Sequence, residues 1–228
     1  MNNSINKTKM EFNKIAEEYD FMESLFDNSK FFVLEMSDSK GSALDIGCGS
    51  GILAYKLSKY YDKVIGIDIS EEMLHIASSK RQSPNIKYIN MNANELKLYK
   101  KFDLITSRTT FHHINNIPLL LTKIKDMVNP GGKIVIVDVI SNFEKEPTIF
   151  SIIEAFASLI LNCKMFGVKI GFRIFKFNIS KDWLKHLASD RYLSEQKFKK
   201  IFTTYLPGCS IARNGHQMNV IWENIVNE

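Results

Sequence analysis

The sequence has few cysteines and no apolar leader. The three cysteines in its 228 residues are Cys48, Cys163 and Cys209. They are far apart and odd in number, which suits neither a disulfide framework nor a zinc site, and we expect no metal centre. Residues 1–10 are polar and lack the apolar region of a signal peptide, so a cytoplasmic location is expected. The apolar stretch 149–168 contains Glu154, Asn162 and Lys164, which argue against an integral membrane span.

A strong excess of one charge is also missing. The chain has 30 basic and 25 acidic residues and a formal net charge of +5. It contains no long Lys/Arg block and no ladder of alternating aromatic and basic residues, so the composition argues against a nucleic-acid partner. With 45% hydrophobic residues, the length suits one α/β domain with a full core.

Strand and helix patterns alternate between residues 43 and 140. Strands are predicted at 43–46, 63–69, 86–90, 102–107, 133–140, 209–213 and 218–223. Helices are predicted at 52–61, after a Ser70 cap, and at 116–128. Alternation of this kind implies right-handed crossovers and a mostly parallel sheet. The last two strands are expected to pair as an antiparallel hairpin around Asn214–Gly215. The predicted fold is therefore a doubly wound, seven-stranded, Rossmann-like α/β domain.

Helical segments are predicted to flank this sheet within one domain, 1–228. Residues 1–9 are interpreted as a loose tail, and residues 10–36 as an N-terminal helical cap. After residue 140 the pattern changes, and 141–193 is predicted to be a helical insertion over the substrate end of the sheet. Within it, 147–166 is apolar and helical.

The insertion contains a stretch, residues 149–177, in which apolar and basic residues alternate. Three interpretations remain open for it. It forms an extra core helix or a dimer face, a lid that makes an apolar acceptor pocket, or an amphipathic surface that lies on anionic lipid.

A glycine-rich turn follows the first predicted strand, in the sequence LDIGCGSG at 44–51. Its glycines are Gly47, Gly49 and Gly51. Such a turn lets the backbone approach a ligand, and the next helix offers free N–H groups at the carboxyl end of the strand. Asp45 would repel a pyrophosphate but favour the ammonium of an amino-acid cofactor. A dinucleotide fingerprint needs glycine at position 52, which is Ile52, and no Walker phosphate loop is present.

Residues 44–51 resemble motif I of the class I S-adenosylmethionine-dependent methyltransferases, and the resemblance extends over roughly 10–140. It implies that Asp68, at the end of the second strand, holds the ribose hydroxyls. Asn92 and Ala93 match the position that binds adenine, although Asn92 replaces the usual Asp. The predicted cofactor-binding residues are Tyr19, Asp45, Gly47, Cys48, Gly49, Gly51, Asp68, Ile69, Met73, Asn92, Ala93, Ser107 and Arg108.

Histidines supply the candidates for a general base. His112 and His113 follow the fourth strand, where methyl donor and acceptor should meet, and imidazole titrates near working pH. Loop packing is the alternative role for both. His216, near the hairpin, is a further candidate, whereas His75 and His186 are interpreted as helix residues without a role in the site.

The sequence thus predicts an enzyme that moves a methyl group from S-adenosylmethionine to a small, apolar or aromatic metabolite. Two alternatives remain: an RNA or protein methyltransferase, and a catalytically silent module that binds S-adenosylmethionine. An oxidoreductase that binds a nucleotide is disfavoured by Ile52. The expected partner is the small-molecule acceptor, and a homodimer stays open.

Overall fold

The computed structural model describes residues 2–27, 29–36, 38, 40–143 and 148–225. The strands are β1 Ser42–Ile46, β2 Lys63–Asp68, β3 Ile86–Asn90, β4 Phe102–Arg108, β5 Val128–Val139, β6 Ser210–Asn214 and β7 Gln217–Glu223. They form one sheet in the order β3-β2-β1-β4-β5-β7-β6. The first five strands are parallel, and β7 pairs antiparallel with both β5 and β6. The predicted Rossmann-like fold class, including the terminal hairpin, is confirmed.

Nine α-helices lie in the described ranges. They are α1 Asn2–Leu25, α2 Lys30–Leu34, α3 Ile52–Leu57, α4 Glu71–Lys80, α5 Ile117–Asp126, α6 Thr148–Phe166, α7 Val168–Asn178, α8 Lys181–Leu187 and α9 Glu195–Tyr205. Short 3-10 turns follow β3 and β4, at Ala93–Glu95 and Phe111–His113. The Ser70 side chain accepts a hydrogen bond from the backbone N–H of Met73, which confirms the predicted cap of α4.

The core lies on both faces of the sheet, because the central strands are apolar on both sides. Ile134 and Ile136 of β5 pack in the cluster that contains α5 and α9, whereas Val135 and Val137 pack in the cluster that contains α3. Continuous apolar runs of this kind are typical of parallel strands covered by helices on each face. The carboxyl ends of β1, β2 and β4 therefore open at one edge of a rigid scaffold.

The predicted loose tail at 1–9 is wrong for residues 2–9, which belong to α1. Ion pairs stabilise this polar segment. A prediction from hydrophobic periodicity misses the segment because it does not take ion pairs into account. Lys9 Nζ lies 2.7 Å from a carboxylate oxygen of Glu71, at the start of α4, and Lys7 Nζ lies 3.8 Å from Glu11 one turn along α1.

The insertion 141–193 leaves and rejoins the sheet at one place. Ile140, just after β5, forms a parallel bridge with Leu193, and the backbone N–H of Ser141 donates to the carbonyl of Leu193 at 3.1 Å. Between these points α6 packs against α7, and α8 packs against α1.

Candidate active site

A cavity of about 630 Å³ lies at the carboxyl ends of β1, β2 and β4, with α1 along one side. Of the predicted site residues, its lining includes Tyr19, Asp45, Gly47, Cys48, Gly49, Asp68, Ile69, Met73, Asn92, Ala93, Arg108, His112 and His113. Two predicted residues lie outside this lining. The Ser107 hydroxyl is buried and donates to the carbonyl of Ile46 at 2.9 Å, while Gly51 faces Tyr88. Both residues are close to the site in sequence, but their side-chain and backbone contacts are made to the surrounding fold and not to the cavity.

The glycine-rich turn forms an open cradle at the end of β1. Gly49 has a φ of +52°, and a Cβ built there would meet no atom within 4 Å, so the backbone borders free space. At Gly51 the φ is +85°, and a Cβ would lie 2.6 Å from the Tyr88 hydroxyl. Gly49 therefore leaves room for a ligand, and Gly51 allows close packing at the start of α3.

The Asp68 carboxylate braces this cradle. It accepts hydrogen bonds from the backbone N–H of Gly49 at 2.9 Å and of Ser70 at 2.8 Å. Burial raises the pKa of Asp68, and these two N–H groups oppose the rise. Each carboxylate oxygen keeps acceptor capacity, so ligand hydroxyl groups can still donate to Asp68.

Asp45 is a buried acid in the wall of the cavity. Its side chain is 1% exposed, and Oδ1 accepts from the Thr106 hydroxyl at 2.9 Å. Among the described residues Oδ2 has no hydrogen-bond partner of good geometry, although the backbone N–H of Ala54 and the charge of Arg108 both act on this carboxylate. Burial raises the pKa of Asp45 to about 7. A buried carboxylate in a cavity wall, with Oδ2 lacking a partner of good geometry, suits a cationic ligand group, as predicted for an amino-acid cofactor.

Asn92 takes part in a turn as well as in the cavity wall. Its Oδ1 accepts from both the backbone N–H and the side-chain amide of Asn94, each at 3.0 Å. Since two donors occupy this oxygen, an amino group of a ligand would compete with Asn94 for it.

The α1 helix closes the cavity from the side of β4. Arg108 forms an ion pair with Glu23 of α1, and the Tyr19 hydroxyl hydrogen-bonds the Thr109 side chain. Thr109 itself has a φ of +50°, which is strained for a β-branched residue. The helix α1 is thus joined to the carboxyl end of β4 by polar contacts as well as by packing.

His112 is held by a carboxylate that sequence reasoning missed. Its Nδ1 lies 2.6 Å from Oδ1 of Asp138, and its backbone N–H donates to Oδ2 of the same carboxylate at 2.8 Å. Burial alone would lower the pKa of His112, but Asp138 and Asp190 together raise it above the usual value. Asp138 lies in the run KIVIVD, and a charge inside a buried strand was the signal that was overlooked.

The insertion adds further polar groups beside these histidines. His113 Nδ1 lies 3.4 Å from Oδ1 of Asp190, and His186 Nε2 lies 3.9 Å from its Oδ2. Burial raises the pKa of Asp190 to about 6 and lowers that of His186 to about 4. His186 is therefore part of a buried cluster, against the interpretation as a plain helix residue. His216 is exposed and does not line the cavity.

The cluster has two chemical uses. Ligand atoms of His112, His113 and Asp190 lie within 4.8 Å of one another, a spacing that a metal ion can use. These three residues come from two separate segments of the chain, so no metal-ligand spacing in the sequence reveals the cluster. The short hydrogen bond from His112 to Asp138 equally suits proton transfer, because it fixes the ring and leaves Nε2 as the basic nitrogen.

A second cavity of about 270 Å³ adjoins the first on the side of the insertion. Both cavities share Phe12, Tyr19, His112 and His113 in their linings. The apolar side chains that line only the second are Met22, Phe26, Val139, Phe177, Trp183 and Leu187. A larger cavity lined by both polar and apolar residues thus meets a smaller, more apolar one at the two histidines.

Comparisons with known proteins find relatives of this chain. The family described as a methyltransferase domain matches residues 44–136. The demethylmenaquinone methyltransferase of Lactococcus lactis subsp. lactis (strain IL1403) is 30% identical over 196 residues, which cover 78% of this chain and 73% of that protein. A ubiquinone biosynthesis O-methyltransferase of Coxiella burnetii (strain Dugway 5J108-111) is 28% identical over 105 residues, which cover 44% of each chain.

Solved structures share the whole fold at low sequence identity. The DhpI complex with S-adenosylhomocysteine has a TM-score of 0.67 at 15% identity and covers 97% of both chains. The plantazolicin methyltransferase BamL has a TM-score of 0.67 at 17% identity, over 97% of this chain and 96% of the other.

Fold, cradle and relatives together define the class of protein. The chain belongs to the class I S-adenosylmethionine-dependent methyltransferases. It is an enzyme of that class, and S-adenosylmethionine is its cofactor.

Proposed function

We propose that this enzyme methylates a small apolar or aromatic acceptor that binds in the second cavity. The observation that carries the proposal is the meeting of the two cavities at His112 and His113. Aromatic side chains such as Phe177 and Trp183 offer flat apolar surface to a ring-shaped acceptor. The names of the relatives, which refer to demethylmenaquinone and ubiquinone biosynthesis, support an acceptor of this kind.

The first cavity is proposed as the cofactor site. Asp68 would hold the ribose hydroxyls, and Oδ2 of Asp45 would face the cationic end of the cofactor. Gly49 leaves the space that the ligand needs. Ala93, beside Asn92, would border the adenine. When bound, S-adenosylmethionine supplies an electrophilic methyl group, and positioning by the protein accounts for several kcal/mol of the barrier.

His112 is proposed as the general base for an acceptor whose nucleophile carries a proton. Asp138 accepts the Nδ1 proton, which orients the ring and leaves Nε2 to take the proton of the acceptor. The same carboxylate then stabilises the imidazolium that forms. His113, whose pKa burial holds well below the usual value, stays neutral and helps to shape the site. In this arrangement both predicted histidines contribute, in different roles.

We also propose that α1 and the insertion form a cover over the acceptor. The Ser189 hydroxyl, just after α8, donates to Glu11 of α1 at 2.8 Å. Farther along, Arg173 of α7 makes a two-bond contact with Glu18 of α1, at 2.9 and 3.0 Å. These contacts join the two covering segments across the second cavity.

Binding calorimetry tests the cofactor assignment. The wild type should bind S-adenosylmethionine and S-adenosylhomocysteine but not NAD. Removing hydrogen bonds to a charged group costs about 1.5–3 kcal/mol, so Asp68→Ala should weaken binding by about 10- to 100-fold. Asp62→Ala, at an exposed acid before β2, is the matched control. Equal affinity in both variants would remove Asp68 from the site.

Turnover with a radiolabelled methyl donor tests the acceptor and the base. A panel of hydroquinones and phenols should accept label, and His112→Ala should lower kcat by about 10²- to 10⁴-fold. His216→Ala serves as the control, and a run with chelator separates a base from a metal-dependent reaction. Label in RNA or protein fractions, or cofactor binding without turnover on any acceptor, would refute the proposal.

A further inference from the structure

The helix α6 exposes an apolar surface that a soluble core helix would bury. It is 19 residues long and apolar enough to cross a membrane, yet only 11% of its most apolar 18-residue stretch is buried. Phe156 is 61% exposed and Ile160 is 69% exposed. Other outward side chains are Phe150, Ile153, Leu161 and Met165. Continuous exposed apolar surface of this kind marks an interaction site.

Basic side chains flank this surface. Residues 148–178, the α6–α7 hairpin, contain four basic residues and one acidic residue. In the described part of the chain, no carboxylate lies within 4.0 Å of Lys164, Lys169 or Lys176. Positions 168, 169, 172 and 176 share one face of α7, so exposed Val168 and Phe172 lie beside two of these lysines. The surface therefore combines apolar area with uncompensated positive charge.

We propose that the α6–α7 hairpin docks this enzyme on an anionic membrane surface. Apolar side chains of α6 would enter the boundary between headgroups and acyl chains, while Lys164, Lys169 and Lys176 meet anionic headgroups. Amphipathic helices with basic flanks bind membranes through this combination of apolar burial and electrostatic attraction.

The hairpin lies on the membrane rather than crossing it. The helix α7 has 11 residues and spans about 17 Å, whereas the hydrocarbon core is about 30 Å thick. If α6 crossed, α7 would be too short to return the chain to its starting side. The bridge between Ile140 and Leu193 requires that return, because it joins both ends of the insertion to the same edge of the domain. Glu154, inside α6, also opposes a span.

A second copy of the chain fits this surface less well. In a two-fold interface the same patch meets itself, so the positive charge of Lys164, Lys169 and Lys176 would be doubled within one interface, with one acidic residue in each hairpin to offset it. Anionic lipid instead complements this charge, which is why the occupant is assigned as a membrane.

Liposome sedimentation tests the proposal. The enzyme should sediment with vesicles of 3:1 phosphatidylcholine and phosphatidylglycerol, but not with pure phosphatidylcholine, and binding should weaken with salt. Each lysine at an anionic surface is worth about fivefold in affinity, so Lys169→Ala with Lys176→Ala should reduce partitioning by about 25-fold. Lys63→Ala with Lys87→Ala, at exposed positions on β2 and β3, should leave it unchanged.

A substitution on the apolar side makes the test independent of charge. Ile160→Glu should abolish sedimentation, while circular dichroism and affinity for S-adenosylhomocysteine report that the domain is intact. Failure of the wild type to bind anionic vesicles would overturn the proposal, as would equal binding by the double lysine variant. A dimer in analytical ultracentrifugation that Ile160→Glu dissociates, without any lipid binding, would assign the surface to a second copy.

Discussion

The buried acid at the cofactor cradle makes the stability of the protein depend on pH. Asp45 has a pKa of about 7 in the folded chain against 3.8 in its ordinary state, mainly because burial penalises the charged form. Between these values the folded state binds more protons than the unfolded state. Stability should therefore be greatest at low pH for this group and fall as the pH rises through about 7.

The magnitude follows from the size of the shift. One pKa unit corresponds to about 1.4 kcal/mol, so the full penalty for ionised Asp45 is about 4 kcal/mol. Part of this penalty is already present at pH 4.5, because Asp45 is mostly ionised in the unfolded chain at that pH and must take up a proton on folding. From pH 4.5 to pH 8 we expect Asp45 to reduce the free energy of unfolding by about 3 kcal/mol.

The variant Asp45→Asn removes this contribution, because buried groups other than its charged neighbour Asp68 titrate alike in both proteins between pH 4.5 and pH 8. Its amide can donate to the Thr106 hydroxyl, which lies 3.3 Å from the carbonyl of Leu44 and can donate there instead. Urea unfolding at pH 4.5 and pH 8 gives both free energies. The wild type should lose about 3 kcal/mol relative to the variant over this range. A difference between the two proteins that does not change with pH would refute the reasoning.

Cofactor binding gives a second measurement on the same carboxylate. A cationic ligand group beside Oδ2 favours the ionised form and should lower the pKa of Asp45. Binding of S-adenosylhomocysteine at pH 6 should therefore release a proton, which calorimetry detects in buffers of different ionisation enthalpy. Asp45→Asn should bind more weakly and release none from this site. Equal proton release by both proteins would separate Asp45 from the ligand.

Three further predictions concern the scaffold. Ser70→Ala removes the cap of α4 and should cost about 1 kcal/mol in thermal or urea unfolding; no change would refute the capping role. Gly51→Ala places a Cβ 2.6 Å from the Tyr88 hydroxyl at a φ of +85°, so it should cost more than 1 kcal/mol, with Tyr88→Phe relieving part of the loss. Leu121→Ala, at a fully buried position of α5, should cost about 2–5 kcal/mol, whereas Leu119→Ala, 46% exposed on the same helix, should change stability by less than about 0.5 kcal/mol.

The sheet could be predicted because its physics is local. Parallel strands buried on both faces appear as short apolar runs, and β1 to β4 begin and end within one residue of their predicted limits. The terminal hairpin was signalled by Asn214–Gly215, and Gly215 has the expected positive φ. Apolar periodicity fails where a polar helical segment is fixed by ion pairs, as in the first residues of α1, whereas the predicted helix at 147–166 matches α6.

The candidate site divides in the same way. The cofactor half depends on a contiguous turn from Asp45 to Gly51, whose spacing is visible in sequence. The acceptor half joins His112, Asp138 and Asp190, which come from separate elements and meet only in the folded chain. No local pattern connects such residues, so the histidines could be named as candidates but their partners could not.

The strand β7 has a consequence for how the chain folds during synthesis. It follows β6 in sequence but lies inside the sheet, between β5 and β6. Until residues 217–223 leave the ribosome, the outer edge of β5 keeps a row of unpaired backbone groups, which invites pairing with other chains. The growing chain therefore exposes the aggregation-prone edge of β5 until β7 is synthesised. A chaperone would act during this interval.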